Sequence, residues 1–115
     1  MKLIPLSELF PSFSAELQAA LLACGEANLA DQVQGLSVYE CSYDSDCGAG
    51  YIRVESSGKL NSVESNIIGI RHGRTVAVQH PYDVYLDADN FDRVTGIELL
   101  DASALAEQLA SFRAG

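Results

Sequence analysis

The chain predicts an α+β fold with N-terminal helices, an antiparallel sheet of β-hairpins and a C-terminal helix. Three observations carry that prediction. Residues 1–35 are rich in Ala and Leu and hold no β-branched residue apart from Ile4 and Val33, a composition that favours helix. From Leu36 onward the apolar residues recur with period two, the signature of strands with one buried face. The final segment returns to helical spacing, with Leu105, Leu109 and Phe112 at i, i+4 and i+7. Helices, then strands, then a helix argue for a helical layer packed on one face of the sheet.

In chain order, Ser7 is expected to cap a short turn that Pro11 ends, and Ser14 to cap a longer helix with Glu16 in its first turn, where the helix dipole favours an acid. Leu17, Leu21 and Cys24 form its apolar stripe, with Cys24 read as a small buried hydrophobe. Gly25 is the expected stop. Asn28 is placed as the cap of a third helix carrying Leu29 and Val33, closed by Gly35. Tyr39, Cys41 and Tyr43 alternate with Val38, Glu40 and Ser42 in a first strand, and a polar loop leads to a second over Tyr51–Val54, making a hairpin. Two further apolar runs, Val63–Ile70 and Thr75–Gln79, flank His72-Gly73, which reads as a tight turn. Val84 and Leu86 then alternate with Asp83, Tyr85 and Asp87, and the turn DADNFDR precedes a strand over Val94–Leu100. Asp101 or Ser103 caps the closing helix. Gly35 is the one shift in composition, and a 35-residue segment is too small a core to stand alone, so residues 1–115 read as a single domain with the helical region packed on the sheet.

At 115 residues and 48% hydrophobic, the chain is long enough to bury roughly two-thirds of its unfolded surface. Sixteen Asp plus Glu against seven Lys plus Arg give a net charge of −9, which removes the electrostatic footprint of a nucleic-acid binder. No apolar run approaches the ~20 residues of a membrane-spanning helix, so no membrane association is expected. The opening MKLIPLSELFP is interrupted by Pro5, Ser7 and Glu8, unlike a secretory signal, and a cytoplasmic location is the expectation. Cys24, Cys41 and Cys47 are odd in number, which argues against a disulfide framework. A Cys41–Cys47 bond across the turn is disfavoured in a reducing compartment.

Two stretches, YDSDCGAGYIRV and VYLDADNFDRVTGIELLDAS, together resemble a family of small bacterial proteins catalogued as domain of unknown function 2283. The positions on its pattern are Tyr43, Asp44, Asp46, Tyr51, Ile52, Arg53, Asp87, Asp89, Gly96, Ile97, Glu98, Leu100, Asp101, Ala102 and Ser103, within roughly residues 41–103. The family commonly has a glycine at the turn where this chain has Asp92. The resemblance implies a small β-hairpin fold and supplies no chemistry.

Four motifs carry candidate chemistry. IIGIRHGRT (67–75) resembles the phosphohistidine loop of histidine phosphatases, in which a histidine takes the phosphoryl group and arginines bind it. Only 42 residues follow Gly73, too few for that α/β domain, so a turn with an exposed His72 imidazole is the expectation. DADNFDRVTGIE (87–98) has the acids of an EF-hand at positions 1, 3 and 12, but Phe91 stands at a ligand position and Asp92 at the required glycine. A hairpin turn carrying solvated acids explains the same letters. Asp87 and Glu98 together suggest a carboxylate pair able to divide acid and base roles. Cys41, Cys47, His72 and His80 lack a standard zinc spacing. Neither a nucleophile elbow nor a phosphate-binding loop occurs. No catalytic residue, metal or cofactor is therefore assigned.

The resulting expectation is a non-catalytic protein-binding module whose acidity suits a basic partner, with self-pairing of sheet edges into a homodimer as a further expectation. The competing expectations are an immunity protein or antitoxin against a basic toxin, and a metal-dependent or hydrolytic enzyme using the hairpin carboxylates.

Overall fold

The structure is a computed structural model that describes residues 3–55, 69–80 and 82–112. It has the α+β architecture that the pattern predicts. The elements are β1 (Ile4–Pro5), α1 (Leu6–Leu9), α2 (Pro11–Ala23), α3 (Ala27–Val33), β2 (Ser37–Asp44), β3 (Ala49–Glu55), β4 (His72–His80), β5 (Tyr82–Asp89), β6 (Val94–Leu99), a 3₁₀ turn (Ser103–Leu105) and α4 (Ala106–Ser111). The strands form one antiparallel sheet in the order β1-β2-β3-β6-β5-β4. The β5–β6 hairpin thus docks through β6 on β3, while β4 lies at the far edge.

Alternate strand residues meet the helices in one continuous core. Val38, Ile52, Val54, Ile97, Leu99, Val84, Leu86, Ala88 and Val78 are buried with Leu6, Phe10, Phe13, Leu17, Leu21, Leu29, Val33, Leu105 and Leu109 from the helical layer. α2 packs beneath β4, and α4 packs beneath β2 and β3. Between them, residues such as Glu40, Tyr51, Arg53, Thr75, Tyr85, Asp87 and Glu98 lie on the opposite face.

Several local expectations are corrected. Pro11 opens α2 rather than ending the turn before it; its missing N–H costs nothing at the first helical position. Ser14 is consequently inside α2 and buried, and neither Ser7 nor Asn28 caps a helix. Cys24 is exposed at the C-terminal end of α2 and is not core. Gly25 does stop α2: with φ +84° it lets its own N–H reach Leu22 O and the Glu26 N–H reach Leu21 O, the paired bonds of a left-handed helix stop. The β2 alternation is reset by a bulge between Val38 and Glu40, which puts Val38, Cys41 and Tyr43 on the core side. His72-Gly73 is no turn. It lies within β4 at a second bulge, where a Cβ on Gly73 would strike the Asp89 backbone. The run Val63–Ile70 lies outside the described residues as far as residue 68, and Gly69 and Ile70 are not in a strand.

Polar bonds tie the helical layer to the β5–β6 turn. Arg74, at the start of β4, donates to both oxygens of Glu26 (2.9 and 2.8 Å) and both of Asp92 (2.9 and 3.2 Å). Asn28 Nδ2 donates to Asp92 Oδ2, Gln32 Nε2 to Asp92 O, and Gln32 Oε1 accepts from Val94 N–H. The hydrogen bonds from Arg74 hold the Glu26 and Asp92 carboxyls below their ordinary values of 4.5 and 3.8. Groups depressed in this way stabilise the fold above their unfolded values and lose that contribution as pH falls through the lower folded ones. Acidification below about pH 4.5 is therefore expected to lower the urea midpoint more steeply in the wild type than in Arg74→Met, so that the two converge by about pH 2. A gap between their midpoints that stays constant from neutral pH downward would show that Arg74 contributes packing rather than charge.

Candidate functional site

The face of the sheet away from the helices holds the candidate site. Its residues follow from strand register. Glu40 of β2 faces Arg53 of β3, Arg53 faces Gly96 of β6, Gly96 faces Asp87 of β5, and Asp87 faces Thr75 of β4. The adjacent rung runs Ser42, Tyr51, Glu98, Tyr85 and Ala77.

Side chains fill these rungs in an ordered way. Gly96 leaves a gap that the Tyr51 ring occupies, since a Cβ there would overlap the ring and hydroxyl. From that position Tyr51 Oη donates to Asp87 Oδ2 at 2.7 Å. Thr75 Oγ1 donates to Asp87 Oδ1 at 2.8 Å and lies 3.3 Å from His72 Nε2. Burial, then the hydrogen bond to Asp87, raises the Tyr51 phenol above its ordinary value, so the hydroxyl stays protonated. The Arg53 guanidinium lies over the Tyr51 ring, its Cζ 5.1 Å from the centroid, and its Nε sits 2.7 Å from Glu40 Oε1. Both oxygens of Asp87 are thus taken by hydroxyls, and Arg53 is taken by Glu40.

Of the family-pattern residues, the fold brings together Tyr51, Arg53, Asp87, Gly96 and Glu98. The others do separate jobs. Tyr43 faces the core beside Gly50. Asp44 Oδ1 accepts from the Asp46 N–H, shaping the β2–β3 turn, where Asp46 is exposed. Asp101 Oδ1 accepts from the Ser103 N–H and hydroxyl, which holds its carboxyl below the usual value. Ala102 and Leu105 occupy the N-cap positions of the 3₁₀ turn and α4, so neither Asp101 nor Ser103 caps the closing helix as expected. Asp89 corrects the picture of solvated turn acids: it is only 4% exposed, accepts from the N–H groups of Phe91 and Arg93, and pairs with Arg93 Nε at 2.8 Å. The EF-hand pattern is thus split between the turn interior, where Asp89 points, and the open face, where Asp87 and Glu98 lie. Asp87 and Glu98 are diagonal neighbours on that face, with Tyr51 reaching over between them.

The other motifs do not converge. Arg74 of the histidine-phosphatase-like stretch is committed to Glu26 and Asp92 at the helical side, away from His72. Cys41 on β2 and His72 on β4 are separated by most of the sheet's width, and Cys47 lies in the β2–β3 turn. Among the described residues no three His, Cys, Asp or Glu side chains cluster. All three thiols are free; burial pushes Cys41 up to about 11, leaving it a protonated, poorly nucleophilic thiol at neutral pH. No described helix is long and apolar enough to cross a membrane. Comparison with protein-family models, curated proteins and solved structures gave no match.

Residue-by-residue reading overlooked Glu40, Thr75 and the facing of Tyr85 on Glu98, because each depends on which strands are neighbours. A retrievable signal was Gly96 itself, since a glycine inside a strand often marks close approach by another group. Gly96→Ala should destabilise the fold by about 1–3 kcal/mol through overpacking. In a Tyr51→Ala background the same change should be near neutral, a coupling readable from urea denaturation of the four-member cycle. Equal costs in both backgrounds would remove the Tyr51 ring from above Gly96.

Proposed function

We propose that this chain is a non-catalytic protein-binding module that offers the open face of its sheet to a basic protein partner. The observation that carries the reading is the charge of that face. Glu40, Asp44, Glu55, Asp83, Asp87 and Glu98 lie on it by strand alternation, against Arg53 as the one cation among the described residues there. Complementary charge raises association rates and rejects wrong partners. The rungs are also ordered before any partner arrives, which lowers the entropy lost on docking. The use of Asp87 as a doubly bonded acceptor speaks for an architectural role over general acid–base work. Asp92, which departs from the glycine common at that turn in domain of unknown function 2283, holds a φ of +61°, a backbone that glycine adopts readily.

Affinity capture from the host-cell lysate tests the reading. The wild-type chain should retain a basic protein at about 50 mM salt and release it progressively above about 150 mM. Asp83→Lys/Glu98→Lys should lose that protein, while Glu8→Lys/Glu107→Lys on the helical side should keep it. Identical captures by both double variants, or none by the wild type, would refute docking through this face.

Self-association is a second reading, favoured by the outer edge of β4. Among the described residues no strand pairs with it, and Thr75–Gln79 carries no charge to discourage pairing. Light scattering after size exclusion at about 100 µM should then give twice the 12.3 kDa chain mass, reverting to one chain in Ala77→Lys. A single-chain mass in the wild type at that concentration would dismiss the edge pairing.

A further inference from the structure

We propose that the rung Tyr51–Glu98–Tyr85 is a receptor for an arginine side chain of the basic partner. The inference rests on the binding reading above and sharpens it to one side-chain chemistry. Glu98 lies directly between Tyr51 and Tyr85 across two strand pairs, where opposed residues sit about 4.5–5.5 Å apart at Cβ. Glu98 is therefore in register with a tyrosine on each neighbouring strand; the Tyr51 ring leans over Gly96 toward Asp87, so Tyr85 is the ring that remains for a partner. Among the described residues Glu98 makes no hydrogen bond or ion pair, and Tyr85 is 37% exposed. Asp83 and Asp87 precede and follow Tyr85 on the same face of β5, deepening the negative potential around that ring.

The chain itself carries an occupied version of such a site. Arg53 lies over the Tyr51 ring and pairs through Nε with Glu40, so a guanidinium on a tyrosine face beside a carboxylate already occurs on this sheet. The Glu98–Tyr85 half repeats the acceptors without the cation. The missing group is an arginine rather than a lysine because a guanidinium is planar, weakly hydrated and able to stack on a ring while bonding a carboxylate with two N–H groups. Among the described arginines, Arg53, Arg74 and Arg93 are each committed to carboxylates elsewhere, and Arg71 is held by backbone bonds to Asn90, beyond the end of β5. A second copy would bring −9 against −9, so the donor belongs to a different, basic protein.

Titration with hexa-arginine and hexa-lysine peptides, followed by calorimetry and by backbone amide shifts, tests the assignment on the full chain. At about 150 mM salt the arginine peptide should bind at least about fivefold more tightly, with the largest shifts at Tyr51, Tyr85 and Glu98. Glu98→Gln and Tyr85→Ala should each weaken it about tenfold, while Tyr85→Phe, which keeps the ring, and Glu107→Gln, on the helical side, should not. Should either weakening variant fail to fold, the arginine–lysine difference and Tyr85→Phe still decide the matter. Equal affinity for the two peptides, or a loss on Glu98→Gln no greater than on Glu107→Gln, would overturn the receptor. If face-dependent partner capture survived that result, the binding module would stand without it; if capture also failed, both readings would fall.

Discussion

A sheet covered by helices on one side alone must keep every strand in one register, because residues alternate between core and water. Here that constraint does two things at once. It sends Ile52, Val54, Leu86, Ile97 and Leu99 into the core and leaves Tyr51, Arg53, Asp87 and Glu98 outside. A slip of one residue in β3, β5 or β6 would exchange the two sets. It would bury carboxylates, a guanidinium and a phenol without partners, at several kcal/mol for each charge. Core and open face are therefore one decision made by the same strands, and the stability of the first preserves the second.

Three bulges adjust the alternation without breaking it. Those at Val38/Glu40, His72/Arg74 and Asp87/Ala88 each shift the phase of one strand. The bulge on β4, with Gly73 as its extra residue, and that on β6, with Thr95 as its extra residue, flank the end of β5 where Arg74 turns to the helical side and Asp89 into the turn. Asp89 then gathers the N–H groups of the turn and Arg93, while Arg74 and Gln32 fasten the same turn to α3. Asp92 accepts a left-handed backbone there, at some steric cost for a side chain, and its carboxylate is bonded by both Arg74 and Asn28 in return.

The elements legible in the sequence were those governed by local periodicity. The strands over Tyr51–Val54, Val84–Asp87 and Val94–Leu99, the Leu17/Leu21 stripe and the Gly25 stop follow from spacing and glycine chemistry alone. Features set by competition were less legible. Ser14 has the side chain of a cap, yet Pro11 starts the helix first and Phe10 and Phe13 are drawn into the core, which carries Ser14 inside. Cys24 continues the stripe on paper, but the helix ends there and its side chain meets water. His72-Gly73 has turn letters, and tertiary pairing with Asp89 overrides them. A two-residue strand such as β1 offers no periodicity to read. The same limit governs the site: its tyrosines and acids were visible singly, but their facing partners come from the non-local pairing of β3 with β6.

The two carboxylates singled out from the hairpin motif end in opposite conditions. Asp87 accepts two hydroxyl hydrogen bonds, and it anchors a tyrosine whose ring fills the space above Gly96. Removing it would disturb the sheet whether or not anything binds. Glu98, one rung away on the neighbouring strand, makes no hydrogen bond or ion pair among the described residues. A solvated glutamate on a strand needs no explanation by itself. Here it stands in register with Tyr51 on β3 and Tyr85 on β5, beside an arginine that lies over a tyrosine ring and pairs with a glutamate. On this face Asp87 gathers hydroxyls from Tyr51 on one side and Thr75 on the other, whereas Glu98 gathers none among the described residues.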